Sequence, residues 1–234
     1  LNMEIKEFES AIILAEEMIK ISPLDDKILA SVALCHQHLQ NYEKAVAYYN
    51  KALTINPNYG DSWANLGSAL KMQGRSGKAI AAYRKALVIN PDNAAVHNNM
   101  GVALQDLNKL DEAIEAFDKA LQLKPDYPEA YNNIGISLRD QGKVEKAIEA
   151  FYKALHIKPD YPEAYNNIGI SLRDQGKVEK AIEAFFKALH IKPDYADAHR
   201  NLSSIKKYKT DDKHFLQVCE IYKRENLTKD AKCK

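Results

Sequence analysis

PEAYNNIGISLRDQGKVEKAIEAFYKALHIKPDY, residues 128–161, is followed at once by the same 34 residues at 162–195, altered only where Tyr152 becomes Phe186. A period of this length marks an array of stacked units. One such unit cannot bury its apolar face alone and must lean on its neighbours. Function is therefore expected on a surface shared by many repeats, not in one pocket.

Weaker copies extend the period toward the N-terminus at 94–127, 60–93 and 26–59, so five complete units span 26–195. Residues 1–25 match only the second half of a unit, with Ala11 and Pro23 in register with Ala45 and Pro57. Residues 196–208 match a first half through Ala198, His199, Asn201 and Leu202, and read as a half-repeat capping helix. Residues 209–234 read as a helical tail or linker.

Each unit reads as two amphipathic helices. In 128–161 the first carries Ala130, Tyr131, Ile134, Gly135 and Leu138 on one face; the second carries Val144, Ala147, Ile148, Phe151, Ala154, Leu155 and Ile157. Asp140-Gln141-Gly142-Lys143 forms the turn, with Gly142 suited to the left-handed conformation that ends a helix. Pro57, Pro91, Pro125, Pro159 and Pro193 stop the second helices, because proline lacks an N–H and disfavours helical geometry before it. Pro128 and Pro162 fall in the first turn of the next helix, where a missing donor is harmless.

These residues resemble the tetratricopeptide repeat. Its framework stands as Trp63, Leu66, Gly67, Ala79, Tyr83, Ala86 and Pro91 in one unit, and as Tyr131, Ile134, Gly135, Ala147, Phe151, Ala154 and Pro159 in another. Departures are Ala33 and Ser203 at the helix-contact glycine, Gln40 and Asn108 at the turn glycine, and Met18 at a small alanine. The resemblance implies an all-α, right-handed superhelical solenoid of stacked antiparallel helix pairs.

Composition agrees: 46% hydrophobic and 28% charged residues with sparse glycine and proline suit a helical array with a continuous core. There is no run of about 18 apolar residues, hence no membrane partner, and no secretory signal, which favours a cytoplasmic location. A net charge of +1 offers no reason to expect nucleic acid. The densest basic cluster, Lys206, Lys207 and Lys209, reads as the solvated end of a helix, the other reading being a contact for an anionic partner.

Chemistry is thin. Cys35, Cys219 and Cys233 show no zinc or redox spacing. His97 and His199 replace the aromatic of Trp63, Tyr131 and Tyr165, and read as packing residues. His156 and His190 share one late second-helix position in the twin repeats. No catalytic residue, metal site or cofactor is predicted, and the chain is not expected to be an enzyme. The acceptor patterns at Asn201 and Asn226 read as accidental.

In the family the first helices line the concave wall, with groove residues at the second, fifth, sixth, ninth, twelfth and thirteenth positions of each unit. The sixth position reads Asn65, Asn99, Asn133, Asn167 and Asn201. An amide offers an acceptor and two donors, so such a ladder is suited to holding the main chain of an extended peptide whatever its side chains. The other reading is that the asparagines bond the neighbouring helix and keep hairpins in register. Asn98, Asn132 and Asn166 stand beside the ladder, followed by Arg139, Asp140, Arg173 and Asp174, with Glu129 and Glu163 at the rim. The arginines suit a ligand carboxylate or phosphate, or pairing with the nearby acids.

The asparagine ladder resembles that of O-linked N-acetylglucosamine transferases, where it holds extended substrate peptides. The chaperone-tail clamp of related proteins wants lysine at the fifth position, which here reads Ala30, Ala64, Asn98, Asn132, Asn166 and Arg200. Residues 199–215 are similar to the segment that joins repeat arrays to a sulfotransferase domain in some bacterial proteins, although the chain holds no glycine-rich phosphate loop. Two functional readings stand. One is a protein-interaction scaffold with a peptide-binding groove. The alternative is the non-catalytic, substrate-recruiting arm of a larger transferase, a sulfotransferase in preference to a glycosyltransferase. Self-association is a third expectation, through an exposed apolar face around Ile12, Ile13, Leu14 and Ile19.

Overall fold

The computed structural model describes residues 2–22 and 24–205, without the side chains of residues 2–6, 16 and 19. The described residues form twelve α-helices and no strand. They fall into two compact units, the first ending at Ala130 and the second beginning at Tyr131. Pro23 and residues 206–234, including Lys206, Lys207, Lys209, Cys219 and Cys233, lie outside the described residues.

The first unit holds α1 (Asn2–Ile21), α2 (Asp26–His38), α3 (Tyr42–Ile55), α4 (Gly60–Met72), α5 (Ser76–Ile89), α6 (Ala94–Asp106) and α7 (Leu110–Leu123). Helices α2 and α3, α4 and α5, and α6 and α7 pack as hairpins, and each hairpin leans on the next through α3 on α4 and α5 on α6. First helices also touch one another, α2 on α4 and α4 on α6.

The second unit repeats the scheme. Helix α8 (Pro128–Asp140), whose first residues belong to the first unit, is followed by α9 (Val144–Ile157), α10 (Pro162–Asp174), α11 (Val178–Ile191) and α12 (Ala196–Ile205). Here α10 pairs with α11, α9 packs on α10, α11 on α12, and α10 touches α12.

Small-against-large contacts set the hairpin spacing. A Cβ built on Gly67 would lie 2.5 Å from Tyr83 Cε1, and one on Gly101 or Gly169 would lie 2.5 Å from Phe117 or Phe185. Gly135 meets Phe151 in the same way. The four rings are buried, so each glycine is the hole into which an aromatic of the partner helix fits.

The turns confirm the stop signals. Gly74, Gly142 and Gly176 have φ of 73°, 76° and 73°, and the substitutes Gln40 and Asn108 adopt the same left-handed geometry at 58° and 56°. In each case the next N–H reaches back five residues, as from Lys143 to the Leu138 carbonyl at 2.8 Å, which closes the helix end. Proline at Pro162 occupies the first turn of α10 as its fixed φ allows.

On α1, Ile13 and Leu14 are 61% and 63% exposed and Met18 and Ile21 are also exposed, whereas Ile12 is half-buried and the side chain of Ile19 lies outside the described residues; Leu24, beyond the helix, is exposed as well. None of the described helices is long and apolar enough to cross a membrane.

Candidate functional site

The asparagine positions are not equivalent. In the second unit Asn132 and Asn166 are buried on their helices, only 5% exposed, whereas Asn133, Asn167 and Asn201 are half-buried. Asn167 Nδ2 donates to Asn132 Oδ1 at 3.0 Å, and Asn201 Nδ2 donates to Asn166 Oδ1 at 3.0 Å. A sixth-position amide thus clips onto the fifth-position amide of the unit before it. A second N–H on Asn167 and on Asn201 remains available.

Arg139 extends this network: its Nη1 donates to Asn167 Oδ1 at 3.4 Å, while Nε and Nη2 reach Asp140 Oδ1 at 3.4 and 3.3 Å. Arg173 makes the equivalent bonds to Asp174 at 3.4 and 3.3 Å. The pairs join adjacent residues and are partly solvated, so they contribute little stability. Both arginines are therefore already paired with their neighbouring aspartates.

In the first unit the fifth positions before Asn65 and Asn99 are Ala30 and Ala64, which have no acceptor to offer. Asn65 and Asn99 are half-buried and make no side-chain hydrogen bond among the described residues. Asn98 is 7% exposed and has a partner, and Asn133 of the second unit has one too. Within the first unit, then, the amides of Asn65 and Asn99 have no hydrogen-bond partner among the described residues.

Asn99 borders a cleft of about 460 Å³ whose lining includes Gln37, Ser68, Lys71, Met72 and Tyr83. Tyr83 Oη and Ser68 Oγ share a hydrogen bond of 3.2 Å, and Tyr49 Oη donates to Gln37 Oε1 at 3.2 Å. Burial raises the pKa of both phenols, which stay neutral donors at physiological pH. The repeat pattern alone does not point to these hydroxyls. The available signal is a tyrosine at 49 and 83 where later units have Phe117, Phe151 and Phe185.

The remaining polar candidates are structural. Trp63 Nε1 donates to the Pro57 carbonyl at 2.8 Å, and His97 and His199 direct Nε2 to the carbonyls of Pro91 and Pro193 at 3.0 and 2.7 Å. A carbonyl only accepts, so Nε2 carries the proton in both histidines. Cys35 is half-buried, and desolvation pushes its thiol pKa up, away from a reactive thiolate. No three His, Cys, Asp or Glu side chains among the described residues are placed to hold a metal.

Tetratricopeptide-repeat models match residues 27–59, 48–81, 72–107, 98–162 and 162–195, and together these run without a gap from residue 27 to residue 195. The chain belongs to the tetratricopeptide-repeat family. Among solved structures it is similar to MamA, at 28% identity over 70% of this chain and 96% of that one, with a TM-score of 0.63. Its fold also resembles YrrB, described as a tetratricopeptide-repeat protein with an unusual peptide-binding site, at 23% identity over 80% of this chain and 96% of that one, TM-score 0.62. A third is TTC0263, a thermophilic tetratricopeptide-repeat protein of Thermus thermophilus, at 18% identity over 77% of this chain and 98% of that one, TM-score 0.65. No curated protein sequence matches. The segment 206–215, on which most of the sulfotransferase resemblance rests, lies outside the described residues of this repeat protein.

Proposed function

We propose that this chain is a cytoplasmic protein-binding scaffold that holds an extended peptide against its first helices through the asparagine ladder, without a cofactor and with neither nucleic acid nor a membrane as its ligand. The observation that carries the reading is the pair Asn65 and Asn99. Their amides have no partner among the described residues, and Asn99 borders a cleft that also presents Ser68, Lys71 and the Tyr83 hydroxyl. An extended backbone presents one N–H and one C=O per residue and can be bonded by such amides irrespective of sequence. The peptide-binding site ascribed to YrrB on the same fold supports this reading.

Within the second unit Asn133, Asn167 and Asn201 offer rungs of the same kind, the last two keeping donor capacity beside their structural bonds. Asn132 and Asn166 orient the rungs at Asn167 and Asn201, Asn98 is the matching fifth-position amide of the first unit, and Arg139, Arg173, Asp140 and Asp174 flank the peptide's side chains. A chain acting as the recruiting arm of a larger transferase uses the same surface. Self-association through Ile13, Leu14 and Met18 of α1 accompanies it, and sedimentation showing only monomer at high concentration removes that part.

The test is an array of random, unstructured decapeptides probed with the purified chain, followed by anisotropy on those retained. Asn65→Ala with Asn99→Ala removes two to three hydrogen bonds of about 0.5–1.5 kcal/mol each, so affinity falls by about tenfold or more while the thermal melt is unchanged. Unchanged affinity removes the ladder from the mechanism.

A further inference from the structure

The single difference between the twin repeats, Tyr152 against Phe186, lies at a second groove. Between α9 and α11 runs a groove of about 340 Å³ with Tyr152 on one wall, Tyr165, Ile168, Leu172 and Ala184 along its floor, and Lys177, Lys180, Glu183 and Lys187 around its rim. The floor residues of α10 occupy positions four, seven and eleven of the unit, on the side of the helix opposite the ladder positions. This surface is therefore separate from the one that presents Asn167.

Three lysines face one glutamate here. None of Lys177, Lys180 and Lys187 is in an ion pair among the described residues, and Lys187 alone is engaged, over the Tyr165 ring at 5.8 Å. Tyr152 is 56% exposed, a large ring left in water beside a cationic rim. The corresponding place in the first unit is different. Arg84 stands where Tyr152 does, and Arg84 and Lys109 both turn to Glu112, at 3.9 and 2.8 Å, so the basic charge there is answered internally. An apolar floor, an exposed aromatic wall and an unanswered positive rim occur together only at α9–α11 among these two places.

We propose that the α9–α11 groove is a second docking surface, for an acidic protein segment in which one bulky apolar side chain is flanked by Asp or Glu. The volume suits one aromatic or large aliphatic side chain with its backbone. That side chain packs against Tyr152, Tyr165 and Leu172, and the flanking carboxylates meet Lys180 and Lys187 across the rim. Charge complementarity commits the occupant to an anion; the uncharged floor requires the apolar anchor as well. This site does not depend on the ladder.

The probe is a fluorescein-labelled hexapeptide with a central Phe flanked by Asp and Glu, titrated by anisotropy against the full chain at low and high salt. Lys180→Glu with Lys187→Glu is expected to weaken binding by at least about tenfold, and high salt to weaken it in the wild type. Tyr152→Ala weakens it severalfold and Tyr152→Phe leaves it unchanged. A probe with Ala in place of Phe binds severalfold more weakly. The titrations are repeated on the Asn65→Ala, Asn99→Ala chain, whose ladder is blunted; a loss on lysine reversal in that background reports the α9–α11 groove alone and separates failure of this site from failure of the ladder. All substituted side chains lie at the surface of their helices, and circular dichroism confirms that the variants fold. The proposal is overturned if the lysine reversal has no effect, if the Ala probe binds as well as the Phe probe, or if phosphatidylserine vesicles compete for Lys180 and Lys187 more strongly than the probe does.

Discussion

Cutting the contact between Asn132 and Asn167 separates register from recognition. Asn132→Ala removes the buried acceptor that Asn167 Nδ2 reaches at 3.0 Å, leaving a half-exposed amide to be answered by water. Asn167→Ala instead strands Asn132 Oδ1, on a residue only 5% exposed. A neutral hydrogen bond contributes about 0.5–1.5 kcal/mol net, and a buried polar group without a partner costs about 1–3 kcal/mol. Alanine returns up to about 0.7 kcal/mol of helix propensity at either position. Asn132→Ala should therefore destabilise by roughly 0–1 kcal/mol and Asn167→Ala by roughly 0.5–2 kcal/mol. The propensity terms cancel in a double-mutant cycle, leaving a coupling of about 0.5–1.5 kcal/mol. At about 2–4 °C per kcal/mol for a chain of this size, Asn167→Ala lowers Tm by a few degrees, read by far-UV circular dichroism of the four proteins in one buffer. Asn65→Ala is the control, because that amide has no partner among the described residues: its Tm should hold or rise slightly. Zero coupling between Asn132 and Asn167, or an Asn65→Ala loss as large as that of Asn167→Ala, refutes the two-grade description of the ladder.

Gly169→Ala drives a methyl to within 2.5 Å of the Phe185 ring, and overpacking of this kind costs about 1–3 kcal/mol, seen as a lower Tm that Gly169→Ala with Phe185→Leu partly restores. Gln40→Gly should stabilise, since a non-glycine residue in left-handed geometry costs about 1–2 kcal/mol before the flexibility of glycine is subtracted, and Asn108→Gly should gain less because asparagine tolerates that geometry. Both are measured by chemical denaturation. Tyr195 has its pKa pushed up to about 12 by burial, with Glu163 and Asp197 adding repulsion to the phenolate. Its folded-state pKa lies above the ordinary value of 10, so its contribution is complete below pH 10 and is lost as pH rises toward 12; Tyr195→Phe should flatten that part of the alkaline stability profile.

The helices were legible because the information is local and repeated. Proline at 159 and 193 and glycine at 142 and 176 fix where helices end, and the period tells which apolar residues share a face. Even the substitutes were readable: Gln40 and Asn108 fall in register with the turn glycines and adopt their backbone conformation. The ladder was legible as a row of residue types but not as a set of contacts. Whether Asn99 or Asn167 has a partner depends on the residue 35 positions earlier, alanine at 64 and asparagine at 132, and that dependence emerges only once first helices are known to touch. The Tyr83 hydroxyl was hidden for a related reason. A tyrosine at a buried aromatic position satisfies the packing pattern as well as phenylalanine does, and its bond to Ser68 adds nothing to the periodicity.

The same side chain therefore does two physical jobs, chosen by one neighbour. Where the fifth position carries asparagine, as at 132 and 166, the following ladder amide is held in place and its orientation is fixed before any ligand arrives. Prior ordering reduces the entropy lost on binding, but part of the amide's hydrogen-bonding capacity is committed. Where the fifth position is alanine, as at 30 and 64, the amide of Asn65 or Asn99 keeps all its capacity and must lose rotamer freedom when a peptide binds. In the proposed binding mode the open rungs would make more bonds per residue and the clipped rungs fewer at lower entropic cost, so the two grades need not differ much in net affinity. They should differ in selectivity. In the proposed binding mode a fixed N–H donates to a backbone carbonyl in only one place, so the second unit should constrain peptide register, whereas the first unit, with the cleft beside Asn99, should admit variation in both register and side chain.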